Sequence, residues 1–267
     1  MHIISPHHDP TAIFSPLITK HASALSELAT KNDFVLLHTE VTDSVQLEKL
    51  ADLGFHLEIG GKWGEAKKKG LQIVADRSVQ HEFTLWLDFD RLLHWLAVAS
   101  EELEEIISNK YQSDFICLNR SQSAFQSHPQ SWQRTESIIN DIISTIVGKQ
   151  VDPYLGSVIV RTNKAKMLAD KLKQPEWASV AETILQAYRL DLQIEAVVTD
   201  GTSWEDPDRF SAEIEEAGGL QQWKQLRYMG ISEWKKRIDS MHANMQVIVD
   251  LYPDYEEFDN TVAFRSK

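Results

Sequence analysis

Two carboxylates stand one residue apart at Asp88-Phe89-Asp90, and the residues before them, Phe83–Leu87, are apolar at every position but Thr84. A strand apolar on both faces suits a parallel sheet covered by helices. In open α/β sheets, ligands bind outside the carboxyl ends of the strands. An acidic pair there offers hard oxygen donors suited to Mg²⁺ or Mn²⁺. The spacing alone carries little. Asp206-Pro207-Asp208 repeats it and is explained as a helix cap followed by proline at the first helical position. The plain alternative makes Asp88 a cap and Asp90 a solvated acid. Arg91 follows the pair directly and is placed to hold a carboxylate or a phosphate.

Other residues could carry chemistry. His7-His8-Asp9 follows the first apolar segment and could bind zinc, or form a polar loop in which Asp9-Pro10 starts a turn. Glu205 could serve as a base or a charge stabiliser, or simply favour the next helix through its dipole. Trp204 could stack on a sugar or pack in the core. Arg120, His128 and Arg134 lie in or beside a long polar loop, Asn119–Ser131, that could reach a phosphate or an acceptor. Lys62 lies close to the site loops, whereas the run Lys67 to Lys69 reads as a solvated helix face.

These residues need elements to position them. Helical signals cover Leu17–Leu28, Val45–Leu53, Trp63–Asp76, Leu92–Ser108, Trp132–Val147, Asn163–Leu172 and Ser179–Leu190. Strand signals cover His2–Ser5, Phe34–His38, Phe55–Ile59, Phe83–Leu87, Asp114–Leu118, Ser157–Arg161 and Gln193–Val198. Such alternation marks βαβ units, hence an α/β fold with a mostly parallel central sheet and helices on both faces. Gly148 reads as a helix stop. After Asp200 the chain turns helical. A helix from Asp206 ends at Gly218-Gly219, and Ser232 opens a long last helix. Its apolar residues Trp234, Ile238, Met241, Met245, Ile248 and Tyr252 form one stripe. The expected division is an α/β domain over residues 1–205 and a helical extension over residues 206–267, packed on the same domain.

The net charge of -13 argues against a nucleic-acid surface, which needs clustered Lys and Arg. It leaves a nucleotide possible, because a metal ion can offset the repulsion. The single cysteine, Cys117, allows no intramolecular disulfide and fits a reducing compartment. Met1–Pro10 lacks the features of a signal peptide, and no window has the ~18 apolar residues of a membrane span. A cytoplasmic location follows as the expectation.

The order of elements over residues 1–90, ending in Leu85-Trp86-Leu87-Asp88-Phe89-Asp90, resembles glycosyltransferases of the GT-A fold. So do the helix Trp63–Asp76 before that strand, the Gly-containing loop Asp152–Ser157, and the acidic segment Thr199–Asp206. The resemblance covers roughly residues 1–206. It implies a Rossmann-like sheet, a nucleoside-diphosphate sugar as donor, and a small-molecule or lipid-like acceptor. It further implies Mn²⁺ or Mg²⁺ on Asp88 and Asp90, with His242 as a further ligand. His7, His8, Asp9 and Arg91 would lie on the nucleotide side, and Glu205 would be catalytic. The absence of a Gln-x-x-Arg-Trp motif argues against a processive polysaccharide synthase. Ser5-Pro6-His7-His8-Asp9 also resembles the metal loop of zinc-dependent sugar N-deacetylases, although Pro10 stands where that family has a second acid. A non-catalytic oligomeric protein on a transferase-like fold, using the last helix for self-association, is the remaining alternative.

Overall fold

The computed structural model of the chain describes residues 1–77 and 81–253. The strands are β1 (His2–His7), β2 (Asp33–His38), β3 (His56–Ile59), β4 (Phe83–Trp86), β5 (Phe115–Arg120), β6 (Val158–Arg161) and β7 (Ile194–Thr199). The first helices are α1 (Ser15–Lys20), α2 (Ala22–Lys31), α3 (Ser44–Asp52), α4 (Trp63–Asp76), α5 (Phe89–Val98), α6 (Ser100–Ser108) and α7 (Gln122–Ser127). They are followed by α8 (Gln130–Val147), α9 (Thr162–Ala169), α10 (Ser179–Arg189), α11 (Ser211–Glu216), α12 (Leu220–Tyr228) and α13 (Ile231–Leu251).

The strands form one sheet in the order β3-β2-β1-β4-β6-β5-β7. Neighbours run parallel except β6, which is antiparallel to both β4 and β5. Successive strand residues point to opposite faces, so two cores result. Ile4, Val35, Leu37, Trp86, Cys117 and Val160 join one core with residues of α4, α8, α9, α10 and α13. Ile3, Phe34, Leu36, Leu85, Ile116 and Ile159 join the other with residues of α2, α3, α5 and α6. Each such side chain contributes roughly 1.5–3 kcal/mol by leaving water. This is the mostly parallel α/β sheet with helices on both faces that the alternation of elements implied.

Some elements depart from expectation. The helix expected over Leu17–Leu28 breaks at His21 into α1 and α2, and that over Leu92–Ser108 breaks at Ala99, whose φ of -154° is not helical. The loop expected over Asn119–Ser131 contains α7, capped by the Ser121 side chain. The helix expected from Asp206 is a short 3-10 turn, Asp206–Asp208, followed by α11. Gly148 does end α8, with φ 69° and its N–H donating to the Ser144 carbonyl.

The last helix is rotated from its apolar stripe. Its buried residues are Arg237, Ser240, Asn244, Val247 and Ile248, while Ile238 and Met245 are 48% and 37% exposed. Polar anchors set that rotation. Asn244 accepts from the Ala181 N–H at 3.2 Å and donates to the Tyr154 hydroxyl at 3.2 Å. The Arg237 guanidinium lies 3.6 Å from the centre of the Trp132 ring. Residues 254–267 of the expected extension lie outside the described residues. Among the described residues, no helix is long and apolar enough to cross a membrane.

Candidate functional site

The site lies at the carboxyl ends of β1, β4 and β7. Leu87 continues the ladder past β4, its N–H donating to the Ile4 carbonyl at 3.1 Å. Asp88 follows as the residue that opens α5, in an extended conformation, and its side chain does not cap the helix. One carboxylate oxygen instead accepts from the Trp63 indole N–H at 3.0 Å, and the other stands 3.8 Å from an Arg91 nitrogen. Asp90, in the first turn of α5, accepts from the Arg91 backbone N–H at 2.8 Å and stands 3.5 Å from Arg209. Both carboxylates keep about a quarter of their side-chain surface exposed.

Glu205 reaches this end of the sheet from beyond β7. It is buried, and one carboxylate oxygen lies 3.2 Å from Arg91 Nη2 while the other, Oε2, is buried without a hydrogen-bond partner. Arg91 also donates to the Leu155 carbonyl, so the loop before β6 fixes the arginine between its two acids. Burial disfavours the Glu205 anion, but the charge of Arg91, together with a backbone hydrogen bond and the charges of Arg209 and His94, outweighs it and holds the carboxyl below its ordinary range. Asp88 moves the other way. Burial and the charge of Asp90 raise it to about 6, against the pull of Arg91, Trp63 and Lys67.

The segment carrying Glu205 is tied to α5. His94 places Nε2 2.7 Å from Ser203 Oγ and Nδ1 2.7 Å from Asp208 Oδ2. Glu102 accepts from the Trp95 indole and from the backbone N–H groups of Asp200 and Gly201. Gly201 packs so closely that a Cβ there would fall 2.0 Å from the Trp95 ring. Asp206, read from the sequence as a cap, accepts instead from Arg209 and from the Tyr228 hydroxyl. Trp204 packs with Trp223 and Tyr228 in a small third core, so its ring is a packing residue.

Lys67 corrects the reading of the run Lys67 to Lys69 as a solvated face. It is 1% exposed, donates to the Gly156 carbonyl at 3.1 Å, and lies 4.5 Å and 5.4 Å from the Trp63 and Trp86 ring centres. Burial pushes its ammonium down to about 7, with Asp88 opposing. The signal was present in the sequence, since Lys67, Gly70, Leu71 and Val74 share one helical stripe and all are buried. His94 and Arg209 were also missed, because the partners of His94 and the Asp90 that Arg209 faces come from remote segments.

The histidine cluster is divided. Asp9 is buried and accepts from the Ile13 and Phe14 N–H groups, both at 2.9 Å, and from Gln46 at 2.8 Å. Burial raises its carboxyl, but these bonds outweigh that and hold it below the usual range. His7 is buried 2.5 Å from Gln46, and burial lowers its pKa. His8 is exposed and lies 2.9 Å from the Thr39 hydroxyl. His7 and Asp9 thus brace the loop after β1 through Gln46, and of the three cluster residues only His8 is exposed. Arg120 is likewise internal, bonded to Asp152 and Glu136, while His128 is buried and Arg134 exposed.

His242 is exposed on α13 and is not brought to the acidic pair. Among the described residues, no three His, Cys, Asp or Glu side chains stand together as a metal site. Asp88 and Asp90 do fit the lighter requirement of Mg²⁺, which is commonly held by one or two carboxylates together with water and substrate phosphates. Both are partly exposed, and the acids Asp88, Asp90 and Glu205 outnumber the cations Arg91 and Arg209 facing them.

No family model and no curated protein matches the chain. Solved structures similar to it include mannosyl-3-phosphoglycerate synthase from Rubrobacter xylanophilus, at 11% identity and a TM-score of 0.49, over 82% of this chain and 75% of that one. TarS from S. aureus, solved as residues 1–349 with UDP-GlcNAc, is similar at 14% identity and a TM-score of 0.40, over 93% of this chain and 72% of that one. The galactosyltransferase LgtC, solved with donor and acceptor sugar analogues, is similar at 12% identity and a TM-score of 0.36, over 74% and 73% of the two chains. Each of these is a distant likeness of fold alone.

Proposed function

We propose that this chain is a glycosyltransferase that moves a sugar from a nucleoside-diphosphate sugar to a small-molecule or lipid-like acceptor. One observation supports the reading best. Arg91 stands 3.8 Å from Asp88 at the end of β4 and 3.2 Å from Glu205 beyond β7, so acids from two remote segments meet at the ligand-binding edge of the sheet. Asp88 and Asp90 would hold Mg²⁺ or Mn²⁺, which when bound neutralises charge on a leaving diphosphate. Glu205, kept ionised by Arg91, suits stabilisation of the positive charge that develops at the anomeric carbon. Arg91 positions that carboxylate. His8, exposed at the end of β1, is available to the nucleotide. Buried, unpaired Cys117 accords with work in the cytoplasm.

Calorimetric titration of nucleoside diphosphates with Mn²⁺ tests the reading, and no heat in the unmodified protein overturns it. Asp88→Asn is expected to remove the metal-dependent part of binding. Glu205→Gln is expected to keep binding while release of nucleoside diphosphate from the cognate donor falls by about 10²–10³, the scale for losing one preorganised charge-stabilising group. A variant that turns over normally removes Glu205 from the mechanism.

A further inference from the structure

A cavity of about 540 Å³ opens between α13 and the segment before α10, lined among others by Gln174, Trp177, Ser232, Lys236, Ser240 and Ala243. Its volume falls in the range of small-molecule sites, roughly 300–1,000 Å³. Trp177 is 49% exposed, a large flat ring whose centre lies 6.0 Å from the Arg237 guanidinium, itself part of the lining. Its position is fixed. It stacks on Trp63 with ring centres 6.2 Å apart and planes 20° from parallel. The Gly64 N–H donates to the Pro175 carbonyl at 2.9 Å, and a Cβ on Gly64 would fall 2.2 Å from the Gln174 carbonyl oxygen. Lys62 pairs with Glu176 at 2.8 Å. Trp63, the ring beneath, is the one that donates to Asp88 at 3.0 Å. Two stacked indoles, Trp177 and Trp63, therefore link the cavity to the acidic pair.

We infer that this cavity binds the saccharide part of the acceptor, with its ring laid on Trp177. The inference rests on the transferase reading for the word acceptor, and on the cavity alone for the sugar. The ring face of a sugar presents C–H groups, which suit the negative face of an aromatic ring. Its hydroxyls need donors and acceptors around the rim, and Ser232, Ser240, Gln174 and Lys236 supply them. A wall of one rigid aromatic with a few convergent polar groups is the usual make-up of a small-ligand site.

The probes are methyl α-mannoside, methyl β-galactoside and N-acetylglucosamine, followed by saturation-transfer NMR on the full chain, with UDP titrated into the same samples. At least one glycoside is expected to bind the unmodified protein and Trp177→Phe. Trp177→Ala and Ala243→Leu, the latter filling the cavity from the surface of α13, should each weaken it at least tenfold while the melting temperature is retained. No saturation of any glycoside, or binding unchanged in Ala243→Leu, overturns the inference. Glycoside binding without any nucleotide binding leaves the cavity as a sugar site and removes the transferase reading.

Discussion

At the scale of single residues, the site is a set of charges held away from their ordinary ranges. Lys67 carries the clearest consequence. Its folded pKa of about 7 lies below the ordinary value of 10.5, so between those limits the unfolded chain binds more protons. Stability from this group therefore rises as pH climbs from about 7 to about 10.5, and its cost is fully present below pH 7. Lys67→Met should remove that slope, and urea unfolding at pH 7, 8 and 9 measures it. A variant with the slope of the unmodified protein would remove Lys67 as its source. Lost bonding to the Gly156 carbonyl should cost about 1–3 kcal/mol, partly offset by the removed buried charge. Asp88 and Asp90 could be read from the sequence because a buried strand runs straight into them. Glu205 was visible only as an acid after a strand. Its partner Arg91 lies 114 residues away in the chain, and no local pattern records that distance.

At the scale of elements, most strands were legible because apolar residues cluster where both faces are covered, as in Phe83–Trp86. Helix breaks at His21 and Ala99 were not, since apolar spacing continues through both and only the backbone angles change. The rotation of α13 was misjudged for a different reason, because Asn244 and Arg237 outweigh a half-exposed apolar stripe. The segment from β7 to α11 depends on a close approach. Gly201→Ala would drive a Cβ into the Trp95 ring, 2.0 Å away, and shift the chain that carries Glu205. Overpacking of this kind costs about 1–3 kcal/mol. Gly148→Ala is the comparison, since that glycine has φ 69° with nothing within 4 Å of the added atom. Both variants should melt lower, but only Gly201→Ala should also lose donor turnover. Equal turnover in the two would show that the segment carrying Glu205 does not depend on this contact.

At the scale of the whole molecule, the alternation of elements announced the sheet, but the reversed strand β6 between β4 and β5 was invisible locally. Pairings such as Leu85 with Ile159 join segments far apart in the chain, and nothing near either residue sets their direction. What joins these regions beneath the sheet edge is a buried ionic network. Arg120, at the end of β5, donates to both oxygens of Asp152, at 2.6 and 2.8 Å, and to Glu136 of α8 at 2.8 Å. Asn140 donates to Asp152 at 2.8 Å. Burial disfavours the Asp152 anion, yet Arg120 outweighs it and holds the carboxyl below its ordinary 3.8. Removing the arginine alone leaves two buried carboxylates without their counter-charge, a loss of roughly 3–5 kcal/mol. Arg120→Met should therefore lower the urea midpoint sharply. Arg120→Met combined with Asp152→Asn and Glu136→Gln should recover most of the loss, because neutral amides remove the uncompensated charge. Acid separates this account from a simple packing defect. In the unmodified protein, Asp152 stabilises the fold above its unfolded pKa, and that contribution is lost as pH falls through the folded value. In Arg120→Met, Asp152 loses the charge that held it ionised, so protonation relieves it. The gap between the two proteins should narrow as pH falls from 7 towards 4, and a gap constant across that range would assign the loss to packing.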